Sequence, residues 1–194
     1  MRARFGVVWC VVAVIGGCAA PRGRQLCDAI AKRDVATVQR LLAGPELNAT
    51  RTYGTCVPAD VFTVARPGDT ALTAIGVELV KAGLPADASW IPLGQSEPVS
   101  AIETAARNGN VELVRALLAV GLDLTSLASA RALVQAAGAG HLPVVRLLVQ
   151  EGIDLEATSG GETALDRARA KGQDEVLRFL EDVAAARHPA PDKP

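Results

Sequence analysis

Aromatic side chains are scarce in this 194-residue chain, which has three Phe, two Trp and one Tyr, 3% of the total. Burial therefore has to come from aliphatic residues and alanine. Charge of either sign is not in excess either: Lys and Arg number 20 against 21 Asp and Glu. If Arg2 and Arg4 leave with the N-terminal segment considered below, the balance is 18 against 21, or −3. That excludes recognition of nucleic acid by bulk charge. Metal-ligand spacing is missing, because the chain has no CxxC pair and His141 and His188 lie far apart, so no metal is expected. Ser96, Ser100, Ser126, Ser129 and Ser159 are present without a Gly-x-Ser-x-Gly elbow, so no serine is presented as a nucleophile. Gly160-Gly161 is not followed by Gly-Lys-Ser/Thr, and no phosphate-binding loop is expected. These absences argue against an enzyme and against a cofactor.

One apolar run does stand out. Arg2 and Arg4 precede Phe5 to Ile15, an uncharged apolar stretch, and Gly16, Gly17 and Cys18 close it. Basic, apolar and small zones in that order are the layout of a secretory signal peptide. The run is too short to span a bilayer, which needs about 20 residues, and no later run is long enough. Ile15-Gly16-Gly17-Cys18 resembles the bacterial lipobox, with Ile where Leu is commonest. The resemblance implies cleavage before Cys18, lipid on its sulfur, and an anchor in a bacterial cell envelope. Ala19 in place of Asp implies the outer membrane, facing the periplasm. Ordinary cleavage, with Cys18 as a spare thiol, is the alternative.

The expected organisation is a signal peptide over 1–17, a tether over 18–25, one domain over 26–183 and a disordered, proline-rich tail over 184–194. Cys10 would leave with the signal, and Cys27 and Cys56 would remain. In an oxidising compartment two such cysteines predict a disulfide. Two buried, reduced thiols are the alternative.

The domain repeats itself. Asn110-Val-Glu-Leu-Val-Arg-Ala-Leu-Leu118 precedes Gly121-Leu-Asp-Leu124, and His141-Leu-Pro-Val-Val-Arg-Leu-Leu-Val149 precedes Gly152-Ile-Asp-Leu155. Gly109 maps to Gly140, Val114 to Val145, Arg115 to Arg146 and Gly121 to Gly152, each a step of 31 residues. Gly161-Glu-Thr-Ala-Leu-Asp-Arg-Ala168 and Gly172-Gln-Asp-Glu-Val-Leu-Arg-Phe-Leu180 form a further unit, and Asp34-Val-Ala-Thr-Val-Gln-Arg-Leu-Leu42 repeats the second half upstream. Val111, Val114, Leu117 and Leu118 fall on one helical face, as do Leu142, Val145, Leu148 and Val149. One helix pair cannot bury such a face alone, whereas a stack of pairs forms a continuous core.

These residues resemble the ankyrin repeat. Gly161-Glu162-Thr163-Ala164-Leu165 stands for its first-helix opening with Ala in place of Pro, Ala105-Ala106 and Ala136-Ala137 for its paired alanines, and Gly140-His141 for its turn. The resemblance implies an all-α, ankyrin-type helical repeat solenoid of about five repeats, the second truncated. Pro67-Gly68-Asp69-Thr70-Ala71-Leu72 is read as the start of that second unit and Leu79 to Leu84 as its end, with Thr50 to Arg66 and Pro85 to Ser96 as extra stretches. His141, at the turn, is expected to order adjacent loops.

Ankyrin-like stacks bind proteins through their fingers and the concave first-helix face. By motif position the polar candidates are Glu103, Arg107, Gln135, Arg167, Arg169 and Lys171. Trp90, in an irregular stretch, is either a partner anchor or a plug for the short unit, and Phe62 is read as a plug. The functional expectation is a lipid-anchored, periplasm-facing module that binds or inhibits an envelope protein, an immunity protein being one concrete form. A structural envelope lipoprotein without a discrete partner is the alternative. The partner is an unidentified protein, the membrane is met through the lipid, and a monomer is expected.

Overall fold

The computed structural model describes residues 21–44, 58–84, 89–91 and 98–187. A capping side chain stands before most helices and sets where each begins. Helix α1 (Pro21–Ala31) opens on proline, whose fixed φ and missing N–H suit the first helical position. Asp34 accepts from the Thr37 N–H at the start of α2 (Val35–Leu42). A 3₁₀ turn (Pro58–Asp60) runs into the short α3 (Val61–Val64). Asp69 caps α4 (Thr70–Lys81), Ser100 caps α5 (Ala101–Asn108) and Asn110 caps α6 (Val111–Ala119). Ser126 caps α7 (Leu127–Ala139), and α8 (Leu142–Gln150) starts with a proline in its first turn. Thr163 and Asp166 form a capping box on α9 (Ala164–Ala170), and α10 (Asp174–Arg187) follows. Two strands, β1 (Ser89–Trp90) and β2 (Val99–Ser100), pair antiparallel with Ser89 opposite Ser100 and Trp90 opposite Val99.

The helices stack in two columns. The first holds α1, the 3₁₀ turn with α3, then α5, α7 and α9; the second holds α2, α4, α6, α8 and α10. Alanines make the first column tight. Ala101, Ala105, Ala106, Ala132, Ala136, Ala137, Ala164 and Ala168 are all buried. Leucines fill the second: Leu79, Leu117, Leu148 and Leu180 take the same place in successive helices and are at most 2% exposed. The faces expected for α6 and α8 are wider than one stripe. Val114, Leu117, Val145, Leu148 and Val149 are buried as expected, but so are Leu113, Val144 and Leu147, while Val111, Leu118 and Leu142 are half-buried. Helices α6 and α8 each meet their own first helix and a second helix on either side, so their buried arc must be broad.

The second unit is the irregular one, and its halves fall differently from the reading of the sequence. Pro67-Gly68 is the turn between helices, and Thr70-Ala71-Leu72 opens the second helix, α4, which packs between α2 and α6. The first helix of this unit is the 3₁₀ turn with α3, inside the stretch read as extra. The shortening therefore lies in the first column. Helix α3 has only four residues, too few to satisfy its own carbonyls. Asn108, at the end of α5 and 6% exposed, supplies the missing donor. Its Nδ2 donates to the carbonyls of Phe62 at 3.0 Å, Thr63 at 3.2 Å and Ala65 at 3.4 Å, and its Oδ1 accepts from Arg66 Nη1. A buried carbonyl left unpaired would cost about 1–3 kcal/mol.

Two boundaries differ from the expected ones. Helix α1 already covers residues 21–25, within the stretch read as tether, and its Leu26 and Ala29 are buried against the stack. At the other end α10 continues to Arg187, whose Nη1 donates to the Ile153 carbonyl at 3.2 Å.

Four aspartates make the fold acid-sensitive. All four are held below the ordinary aspartate value of 3.8: Asp34 by the Thr37 N–H, Asp69 by the Leu72 N–H and then Arg33, Asp123 and Asp166 by the hydroxyls and then the N–H groups of Thr125 and Thr163. A folded-state pKa below the unfolded one gives stability that is complete above the unfolded value and is lost as pH falls through the folded value. The melting temperature should be level from about pH 7 to 5 and fall below about pH 4. Asp69→Asn, which keeps the cap but loses its charge, should make that fall shallower; an unchanged acid limb would contradict the assignment.

Candidate protein-interaction face

The turns between paired helices need a left-handed residue. Gly109 and Gly140 supply it at φ 76° and 78°. In the first unit Arg33 takes that place at φ 56°, and its guanidinium reaches Asp69 Oδ2 at 3.1 Å. The residue after each turn bonds back to the preceding unit. Asn110 Nδ2 donates to Thr73 Oγ1 at 2.8 Å, His141 Nε2 to the Arg107 carbonyl at 3.0 Å, and Gln173 Nε2 to the Gly138 carbonyl at 3.4 Å. His141 therefore orders two neighbouring units, the role its turn position predicts.

This ladder, the paired alanines and the two columns are the marks of one repeat. Residues 99–187 match the family model for ankyrin repeats, in three copies. The stack is an all-α ankyrin solenoid. The match covers α5 to α10, and the first two units precede it. No curated protein matches the chain.

Of the central first helices, α5 is buried except at Arg107, whereas α7 leaves one face open. On α7 this face carries Leu127, 59% exposed, then exposed Arg131 and half-buried Gln135, at intervals of four residues. Arg107 on α5 and Arg167 on α9 flank it, both half-buried. Arg167 lies across Gly138, where a Cβ would sit 2.6 Å from its Cγ, and its Nε is 3.0 Å from Glu162 Oε2. Glycine at 138 makes room for that side chain.

Other candidates fall elsewhere. Glu103 is only 8% exposed on α5, so it offers a partner little surface. Arg169 turns to its own second helix and pairs with Glu181 at 3.2 Å. Lys171 is exposed at the turn after α9, with its Cγ 3.8 Å from where a Cβ on Gly138 would sit. Trp90 is 6% exposed, so it does not stand out as an anchor. Its Nε1 donates to Asp60 Oδ1 at 2.9 Å, and its ring leans on Phe62 at 6.0 Å between centroids. An indole buried with its N–H satisfied is a packing element; it fills the space beside the short α3.

Arg131 and Leu127 were not among the sequence candidates. Their signal was present as Leu127, Arg131 and Gln135 recurring every fourth residue opposite Ala130, Leu133 and Ala137. Cys27 is half-buried on α1; Cys56 and Cys18 lie outside the described residues. Among the described residues no cluster of three or more His, Cys, Asp or Glu is placed to hold a metal ion, and no helix is long and apolar enough to cross a membrane. A hollow of about 390 Å³ between α4 and α6 is lined mainly by Val77, Val80, Ala116, Ala119 and Val120. It gathers no nucleophile with a base.

Proposed function

We propose that this chain is a lipid-anchored, periplasm-facing protein-binding module of a bacterial envelope that holds or inhibits an envelope protein. The ankyrin repeats make it a protein–protein interaction module. The observation that carries the binding site is the open stripe of Leu127, Arg131 and Gln135 on α7. An apolar side chain beside a guanidinium that has no ion pair among the described residues is the kind of pair that dominates interfaces. An immunity protein that neutralises an incoming toxin is one form of this function. Arg131→Glu should abolish cross-linking to the partner in solubilised envelope, and Arg115→Glu, on the second column, should preserve it. Equal capture by both variants would move the binding site elsewhere.

Anchoring is supported by Ile15-Gly16-Gly17-Cys18. Multiple acyl chains on one cysteine hold a protein durably, since each buried CH₂ adds about 0.8 kcal/mol. Cys18→Ser should remain uncleaved and take up no fatty-acid probe, and normal labelling of that variant would reject the anchor. We assign Cys56 as the partner of Cys27. Peptide mapping without reductant should recover the two in one linked fragment; Cys27 linked to any other thiol would refute the pairing.

A further inference from the structure

The charge of the chain is graded along the stack. The first unit, residues 21–44, carries Arg22, Arg24, Lys32, Arg33 and Arg40 against Asp28 and Asp34, a net of +3. Residues 58–84 sum to −1 and residues 98–187 to −3. The positive excess therefore belongs to one end of the solenoid. Arg33 is engaged with Asp69, while Arg24, Lys32 and Arg40 are exposed and form no ion pair among the described residues. This end is also where the chain would leave the membrane. Only Ala19 and Ala20 separate Cys18 from Pro21 at the start of α1, a reach of about 11 Å at 3.8 Å per Cα step.

We infer that the basic first unit docks on an anionic lipid surface and stands the solenoid upright, with its acidic units away from the membrane. The inference rests on the lipid anchor proposed for Cys18. Helices in contact lie about 8–10 Å apart, and the screening length at physiological salt is about 8 Å. In an upright stack only the first unit feels the surface potential. A stack lying flat would bring the acidic units into the same field and be repelled. Each basic side chain at an anionic surface is worth about a five-fold shift in population. Upright docking would hold the α7 stripe clear of the headgroups.

The test uses the lipidated full-length product in vesicles of phosphatidylcholine alone or with phosphatidylglycerol added. A fluorophore is placed on Ala36→Cys in α2 or Ala185→Cys in α10, both exposed, and a quencher is carried on the lipid headgroup. With phosphatidylglycerol, the ratio of quenching at position 36 to that at 185 should rise several-fold. High salt, or Arg24→Glu with Lys32→Glu, should return it to the phosphatidylcholine value. Protein that floats with both vesicles but shows the same ratio in each overturns the docking and leaves the anchor standing. The basic unit would then suit an acidic protein partner. Protein that floats with neither vesicle overturns both.

Discussion

Phe62→Ala should destabilise the protein by about 3–5 kcal/mol, the usual cost of removing a fully buried phenyl ring. Phe62 has no exposed surface and sits in the shortest first helix of the stack. Its ring meets Trp90, and its carbonyl accepts from Asn108 in the next unit. With so little helix at this level, neighbouring side chains have few ways to close the cavity. A solenoid transmits such a defect only through its neighbours. Hydrogen exchange should therefore quicken in α1, α2 and α3 while α8 to α10 stay protected. Trp90→Phe keeps a ring beside Phe62 and loses only the bond to Asp60, so its cost should be near 1 kcal/mol. A loss from Phe62→Ala below that of Trp90→Phe in urea melts would contradict the packing described.

Phe62 also marks where the sequence could be read and where it could not. The last three units were legible because Gly109, Gly140 and Gly172 punctuate them and their leucines keep register. The second unit misleads because Gly68-Asp69-Thr70-Ala71-Leu72 matches the text of a first helix. Locally it is an N-cap followed by good helix formers, which suits either column. Only packing between α2 and α6 decides that it is a second helix. Counting back from the closing glycine gave a partial signal, since Leu79 precedes Gly83 by four residues as Leu117 precedes Gly121 and Leu148 precedes Gly152.

The exposure of the polar candidates was legible in outline only, for a related reason. Motif position names the helix but not the height of each side chain above its neighbours. Thr104 and Gln135 sit at equivalent places, 31 residues apart, yet one is buried and the other half-exposed. Arg169 looks free in the sequence and is paired with Glu181, twelve residues on. Asn108 carried no signal, because the corresponding residues of the next units are Ala139 and Lys171. Its role exists only because α3 is too short.

Leu148→Ala should cost about 2–5 kcal/mol, as for other fully buried leucines. The column Leu79, Leu117, Leu148 and Leu180 runs through successive second helices, and Leu148 has a full unit on either side of it. Truncation there removes contacts to α6 and α10 at once. The backbone beside it is also fixed, with the Leu148 carbonyl accepting from Ile153 N–H at 3.2 Å over a left-handed Gly152, so the helix cannot sink to fill the space. Leu117→Ala, enclosed in the same way, should fall in the same range. Leu180→Ala should cost less, because α10 has a neighbouring second helix on one side only and can relax toward solvent. Arg115→Ala, exposed on α6, should change stability by no more than about 0.5 kcal/mol. Urea melts with an unchanged denaturant slope would separate these changes in stability from changes in the unfolded state. A smaller loss at Leu148 than at Leu180 would refute the continuous leucine column, since a residue with neighbours on both sides must lose more than one at the end.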